Sequence, residues 1–218
     1  MKRDSLTTAV ASFVGQKGGV GKSTLARLLA VTAARRDYKV LLADFDLEQL
    51  TCVEWNARRL RANIEPDIEV RAFKSLKKLR KIDNNFDLIV VDTRGLADDL
   101  TKDVAEESDV VFLPTGTSAD DLRPTLALAR KLAGQGADGK IELILSKIGK
   151  SERHLASAIG QIGATGFPVL AAHWAFRDGI QTELDTGGVG IEARNRFLRE
   201  IAVTCGNGMF DRVGRARR

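Results

Sequence analysis

The sequence predicts an α/β fold, a mostly parallel twisted sheet with helices on both faces, and three observations carry that prediction. Short apolar runs recur at residues 10–14, 40–44, 68–73, 88–92, 110–114, 141–146 and 169–174, with helical patterns between most of them. Such alternation means parallel strands joined by right-handed crossovers. The first run leads into a glycine-rich loop, and the second and fourth end in Asp44 and Asp92. A sheet of this kind binds its ligand at the carboxyl ends of its strands, which is where all three features fall. At 218 residues, 44% of them hydrophobic, the chain suits a single domain, 1–218, with a sizeable core.

After the first strand comes Gly15-Gln16-Lys17-Gly18-Gly19-Val20-Gly21-Lys22-Ser23-Thr24. This is a phosphate cradle. Glycines let successive N–H groups turn toward one anion, Lys22 reaches the β- and γ-phosphates, and the Ser23 hydroxyl can hold magnesium. Thr24 opens a helix through Leu25, Leu28 and Leu29 whose positive end faces the phosphates. The usual pattern places glycine six residues before the lysine; here that place is Gln16, followed by a second lysine, Lys17. From there Lys17 cannot easily fold back onto its own nucleotide, so its natural target is negative charge across an interface.

The second strand ends in Asp44-Phe45-Asp46, two carboxylates pointing to the same side. Asp44 reads equally as a strand-end cap or as a functional group. The fourth strand emerges as Asp92-Thr93-Arg94-Gly95, where a carboxylate accepts hydrogen bonds from magnesium-bound water in a phosphoryl-transfer site. The segment Thr93-Arg94-Gly95 is expected to keep a flexible γ-phosphate sensor. Arg94 adds a positive side chain directed at nucleotide or at a surface carboxylate.

The segment Lys17-Gly18-Gly19-Val20-Gly21-Lys22-Ser23 resembles the deviant Walker A loop of the ParA/MinD family of ATPases. That resemblance implies a P-loop fold, ATP and Mg2+ as ligands, and a dimer sandwiching two ATP molecules, with Lys17 reaching the partner's nucleotide. Gln16 is closer to ParA-type partition proteins than to MinD. The family's Asp-x-Asp-Pro-Gln segment falls on residues 44–48, so Asp46 inherits the role of orienting the attacking water and holding magnesium through water. Leu47-Glu48 replaces Pro-Gln, and Gln49 arrives one place late. Lys17, Lys22 and Asp46 are thus the catalytic candidates, Ser23, Asp46 and Asp92 the metal candidates, and residues 16–24 with Asp92 the nucleotide site. The family frames adenine with Asn after the sixth strand and Pro in the next loop; the matching positions are Ser146 and Ala175. The late segment continues through Arg177, Gly187 and Glu192. His173 and Trp174 could stack on the base, although a core role for Trp174 is favoured.

Charge is concentrated at the end of the chain. Residues 194–218 hold seven arginines against Glu200 and Asp211, equal to the whole net charge of +5. A basic helix and tail over about 191–218 are therefore expected, with Arg194, Arg196 and Arg199 as candidate contacts to DNA of any sequence. We expect the Walker residues at the opposite end of the sheet from these arginines. A second basic run, 71–81, places Leu76 and Leu79 on one helical side and lysines on the other. Cys52 and Cys205 lack metal-ligand spacing and read as small packed side chains. No run approaches the ~18 uncharged apolar residues of a membrane span, and Met1-Lys2-Arg3-Asp4-Ser5 is not an apolar leader, so a cytoplasmic, nucleoid-associated protein is expected.

The resemblance thus implies a homodimeric, DNA-binding ATPase that moves a plasmid, chromosome or protein cargo, released when a ParB-like or other adaptor stimulates hydrolysis. Two alternatives remain. One is a MinD-like membrane-cycling regulator; Met209, Phe210 and Val213 are the bulky apolar residues its tail would insert. The other is a P-loop metabolic enzyme such as a dethiobiotin synthetase, disfavoured by Lys17, or an iron-sulfur carrier, disfavoured because no cysteine lies between Asp92 and the sixth strand.

Overall fold

The computed structural model describes residues 8–79, 81, 85–95, 99–175 and 178–217. Its strands are β1 (Ala9–Phe13), β2 (Val40–Asp44), β3 (Glu69–Ala72), β4 (Leu88–Asp92), β5 (Val110–Thr115), β6 (Ile141–Ile148) and β7 (Trp174–Ala175). All pair in parallel, in the order β3-β2-β4-β1-β5-β6-β7. The helices are α1 (Lys22–Ala34), α2 (Thr51–Arg61), α3 (Leu76–Leu79), α4 (Asp99–Glu107), α5 (Ala119–Leu132), α6 (Glu152–Gly163), α7 (Asp178–Asp185) and α8 (Arg196–Ala216).

Apolar side chains on both faces explain the unbroken apolar runs. Ala11, Phe13, Leu42, Leu88, Val90, Val110 and Phe112 face α1, α2, α7 and α8, while Leu41, Ala43, Ile89, Val91, Val111, Leu113 and Leu143 face α3 to α6. Successive residues of a strand serve opposite cores, and helices cover each one. Cys52 and Cys205 are free and buried, as packed side chains.

Three segments differ from expectation. The seventh run is not a continuous strand: Val169 bridges Leu143, residues 171–173 leave the ladder, and pairing resumes only at Trp174 across a register shift at Ser146/Ile148. Lys147, inside that shift, has φ 55°, a left-handed backbone that interrupts the regular pleat. The basic run forms only the one-turn α3, with Leu79 buried and Lys74, Lys77 and Lys78 exposed; Arg80 lies outside the described residues. The chain's end is not a free tail, because α8 lays Ala202, Cys205, Met209 and Val213 into the core beside α1. Arg212 pairs with Glu142 at 2.7 Å. Trp174 is buried in the same core, which settles its role as packing.

One junction ties α2 to the loop before α8. Trp55 Nε1 donates to Gly188 O at 2.9 Å. Arg59, 1% exposed, donates to Glu65 O at 2.8 Å, Gly187 O at 3.2 Å and Glu192 Oε1 at 3.0 Å. Gly187 has φ 95° and lies so close to Arg59 that a Cβ would stand 2.5 Å from its Cα and N. Gly187→Ala is therefore expected to destabilise the fold by about 2 kcal/mol or more in urea unfolding, since it adds strain and a backbone clash. Gly160→Ala, in α6 with nothing near its would-be Cβ, should instead stabilise by roughly 0.5 kcal/mol.

Candidate functional site

The carboxyl ends of β1, β2 and β4 converge on one cleft of about 350 Å³. The loop after β1 forms its floor, with Gly19 at φ 73° and Gly21 at φ 100°, a conformation glycine adopts without cost. Gly21 caps α1, so the helix's first amides face the cleft. Gly18, Gly19, Gly21, Lys22, Ser23, Thr24 and Asp46 line it, as the sequence predicts, together with Thr93. Lys22 is 7% exposed and its Nζ donates to Lys17 O at 3.3 Å. Burial lowers its pKa from the ordinary lysine value, against the pull of Asp92 and Asp46. An ammonium so desolvated gains most from an anion placed beside it.

Asp44 resolves as a brace. Its Oδ1 accepts from Asp46 N at 3.0 Å and its Oδ2 from Cys52 N at 2.9 Å, tying both ends of the 46–50 loop to β2. Asp46 Oδ1 accepts from Gln49 N at 3.1 Å inside that loop. Asp92 lies alongside Asp44 in register and has no exposure. Cys52 Sγ donates to its Oδ2 at 3.2 Å, while Oδ1 has no partner. Burial is the first cause that raises the Asp92 carboxyl from 3.8 to about 6, opposed by the nearby Ser23 hydroxyl. An orphaned carboxylate oxygen beside a serine hydroxyl, with Asp46 acting on the same Lys22, is a donor set that fits magnesium, a hard cation with an oxygen shell. Ser23, Asp92 and Asp46 would hold it, and it would neutralise triphosphate charge.

Residues 11–182 match the family of the CobQ/CobB/MinD/ParA nucleotide binding domain. The chain belongs to that family. It is a ParA/MinD-type ATPase with the P-loop fold. It is 25% identical over 182 residues to Protein ParA of Rhizobium radiobacter, covering 84% of this chain and 75% of that one. The fold is similar to the cell division ATPase MinD of Pyrococcus furiosus, with TM-score 0.76, 18% identity, and 93% and 98% of the two chains covered. It is also similar to a putative plasmid partition protein of Borrelia burgdorferi bound to AMPPNP, with TM-score 0.72, 18% identity, and coverage of 94% and 99%.

Other predicted positions sit elsewhere than in the ATPase cleft wall. Lys17, half-exposed, pairs with Asp121 at the start of α5 and does not line its own cleft; Gln16 and Val20 do not line it either. Ser146 lies beneath the loop, its Oγ 2.6 Å from where a Gly21 Cβ would be, and Ala175 lines a separate groove beside His173 and Phe197. At that end the cleft is walled by Lys147, turned in by its positive φ. The Thr93 hydroxyl donates to Phe13 O at 2.9 Å, and Thr93 and Gly95 both line the cleft. Arg94 lines a second cleft with Asp103, Glu106 and Glu107, among surface carboxylates. Arg177 lies outside the described residues. Arg194 is not at the far end of the sheet from the cleft, because its charge acts on Glu183 of α7, the helix whose Gln181, Leu184 and Asp185 line the cleft.

Arg27, Arg58, Gln181 and Asp185 complete the walls and escaped the motif search. Arg27 alone had a visible signal, a single arginine inside the apolar stretch 25–31.

Because burial raises the Asp92 pKa, this carboxyl should cost the metal-free protein stability as pH climbs from 3.8 toward about 6, where it ionises with no metal beside it. Asp92→Asn removes that burden. In EDTA at neutral pH it is expected to melt at a higher temperature than the parent, while magnesium-dependent ATP hydrolysis falls by orders of magnitude.

Proposed function

We propose that the protein forms an ATP-sandwiched homodimer, binds DNA without sequence preference in that state, and is released when an adaptor protein stimulates hydrolysis, so as to move a plasmid, chromosome or protein cargo. The observation that carries this reading is the placement of Lys17. Of the loop's two lysines, Lys22 is sunk in its own cleft, whereas Lys17 stands at the outer side with a side chain 53% exposed. Its bond to Asp121 is a solvent-exposed ion pair, weak enough for a facing triphosphate to displace. Asp46 orients the attacking water, Lys22 and Lys17 stabilise phosphate charge, and Thr24 and the loop amides hold ground-state phosphate.

The DNA-facing half of the proposal rests on α8. Arg194, Arg196 and Arg199 are exposed at its start. A membrane-inserting tail has less support. Met209 and Val213 are buried against the core, and Phe210 is covered by Tyr38, at 5.0 Å between ring centroids, and by the Arg36 guanidinium at 4.4 Å. Among the described residues no helix is long and apolar enough to cross a membrane.

Lys17→Ala is expected to keep ATP binding, because Lys22 and the loop amides remain, and to lose ATP-dependent dimerisation in light scattering. Normal dimers from this variant would refute the role across the interface. Replacing Arg194, Arg196 and Arg199 with glutamate should abolish DNA binding and leave dimerisation intact. In the parent, affinity should fall steeply with salt, by about 0.9 counterion per neutralised phosphate. Strong ATP-dependent binding to anionic vesicles, without salt-sensitive DNA binding, would favour the membrane-cycling alternative.

A further inference from the structure

Arg27 is the charged residue of α1 that packing alone does not account for. It lies one turn beyond Ser23, on the same side of the helix. The side chain is 5% exposed yet reaches the cleft wall. Its Nη2 donates to Thr51 O at 2.6 Å, and its guanidinium lies 5.5 Å from the centre of the Trp55 ring. Its Nε is buried without a partner. A buried cation with an unused N–H is costly, and an apolar side chain would suit the neighbouring Leu25, Leu28 and Leu29 better. Thr51 is the first residue of α2 and directly follows the 46–50 loop that carries Asp46. Asp44 on β2 already holds both ends of that loop, at Asp46 N and at Cys52 N, and Arg27 adds a second hold at Thr51. The loop is therefore pinned to the sheet by a carboxylate and to the phosphate-loop helix by Arg27.

We propose that Arg27 is a positioning residue for ATP hydrolysis: by holding the Thr51 carbonyl against α1 it fixes Asp46 relative to the phosphate loop. The inference rests on the reading of Asp46 as the residue that orients the attacking water. Asp46 and Thr51 bound one short loop whose α2 end rests on Asp44 and Arg27 together, so losing the Arg27 hold loosens Thr51 and with it Asp46, while the phosphate cradle, built from residues 15–24, stays intact. Arg27 should thus govern turnover and leave ground-state nucleotide binding alone.

The test is a double-mutant cycle in the full chain with Asp46→Ala and Arg27→Met, a side chain of similar reach without N–H groups. Arg27→Met is expected to lower kcat by about 30-fold or more, with KM for ATP and Kd for a fluorescent ADP analogue within about threefold. Arg27→Lys should restore part of the rate. Combined with Asp46→Ala, the methionine variant should cost no further rate in single-turnover assays, because both changes remove one interaction. Without nucleotide, hydrogen exchange should quicken in the peptide spanning 46–53 and stay unchanged in the strands. If Asp46→Ala hydrolyses ATP at the parent rate, the water-orienting reading fails. If Asp46→Ala is impaired but Arg27→Met turns over within twofold of the parent, or the double variant loses a further tenfold, or exchange at 46–53 is unchanged, the role assigned to Arg27 fails. Should Arg27→Met not fold, the lysine variant enters the same cycle and is read by the same outcomes.

Discussion

Asp44 and Asp92 end neighbouring parallel strands in register, so two unexposed carboxylates stand side by side at the carboxyl edge of the sheet, and the surrounding structure is arranged to tolerate them. Asp44 is satisfied by backbone amides of residues 46, 52 and 53, and meeting that demand folds the 46–50 loop back over the strand. Asp92 receives a thiol, from Cys52, stands beside the Ser23 hydroxyl, and keeps one oxygen unpaired. The two buried cations nearby, Lys22 and Arg27, come from the first turns of α1. The loop after β1 must therefore be short and glycine-rich both to cradle phosphate and to bring α1 close enough to supply those charges.

Much of this was legible. Both buried carboxylates close uninterrupted apolar runs, and the glycine-lysine spacing of 15–24 has few uses besides an anion. All strands but the last appear within one or two residues of the apolar runs, because strands covered on both faces leave a compositional trace that needs no periodicity. The seventh run failed for a local reason: Ala171-Ala172-His173 offers nothing that competes with leaving the ladder at an edge, where one side of the strand is unpaired. Ser146 and Ala175, placed by analogy, stand outside the cleft lining, where Lys147 with its positive φ is found instead. That backbone turn is a property of the register shift and has no signature in residue type.

The final helix was harder to place from composition. Arginines dominate the charge of residues 194–218, four of them within α8, yet glycines and small residues decide where the helix goes. Gly206 lets α8 approach Thr32 of α1 so closely that a Cβ would lie 2.2 Å from its hydroxyl. Close packing at that point turns a basic segment into an integral layer of the domain, with its charges confined to the remaining sides.

The junction of Trp55, Arg59, Gly187 and Glu192 bears on how such a chain can change over generations. Each member is acceptable only in the presence of the others: the glycine because a backbone passes over it, the glutamate because a buried guanidinium faces it, the arginine because four oxygens receive it. A single replacement strands a charge or creates an overlap, so the route to any different junction runs through simultaneous substitutions in segments more than a hundred residues apart. Lineages are thus expected to inherit the quartet as a unit or to replace it wholesale, a pattern of linked descent that neither α2 nor the 187–192 loop would display by itself.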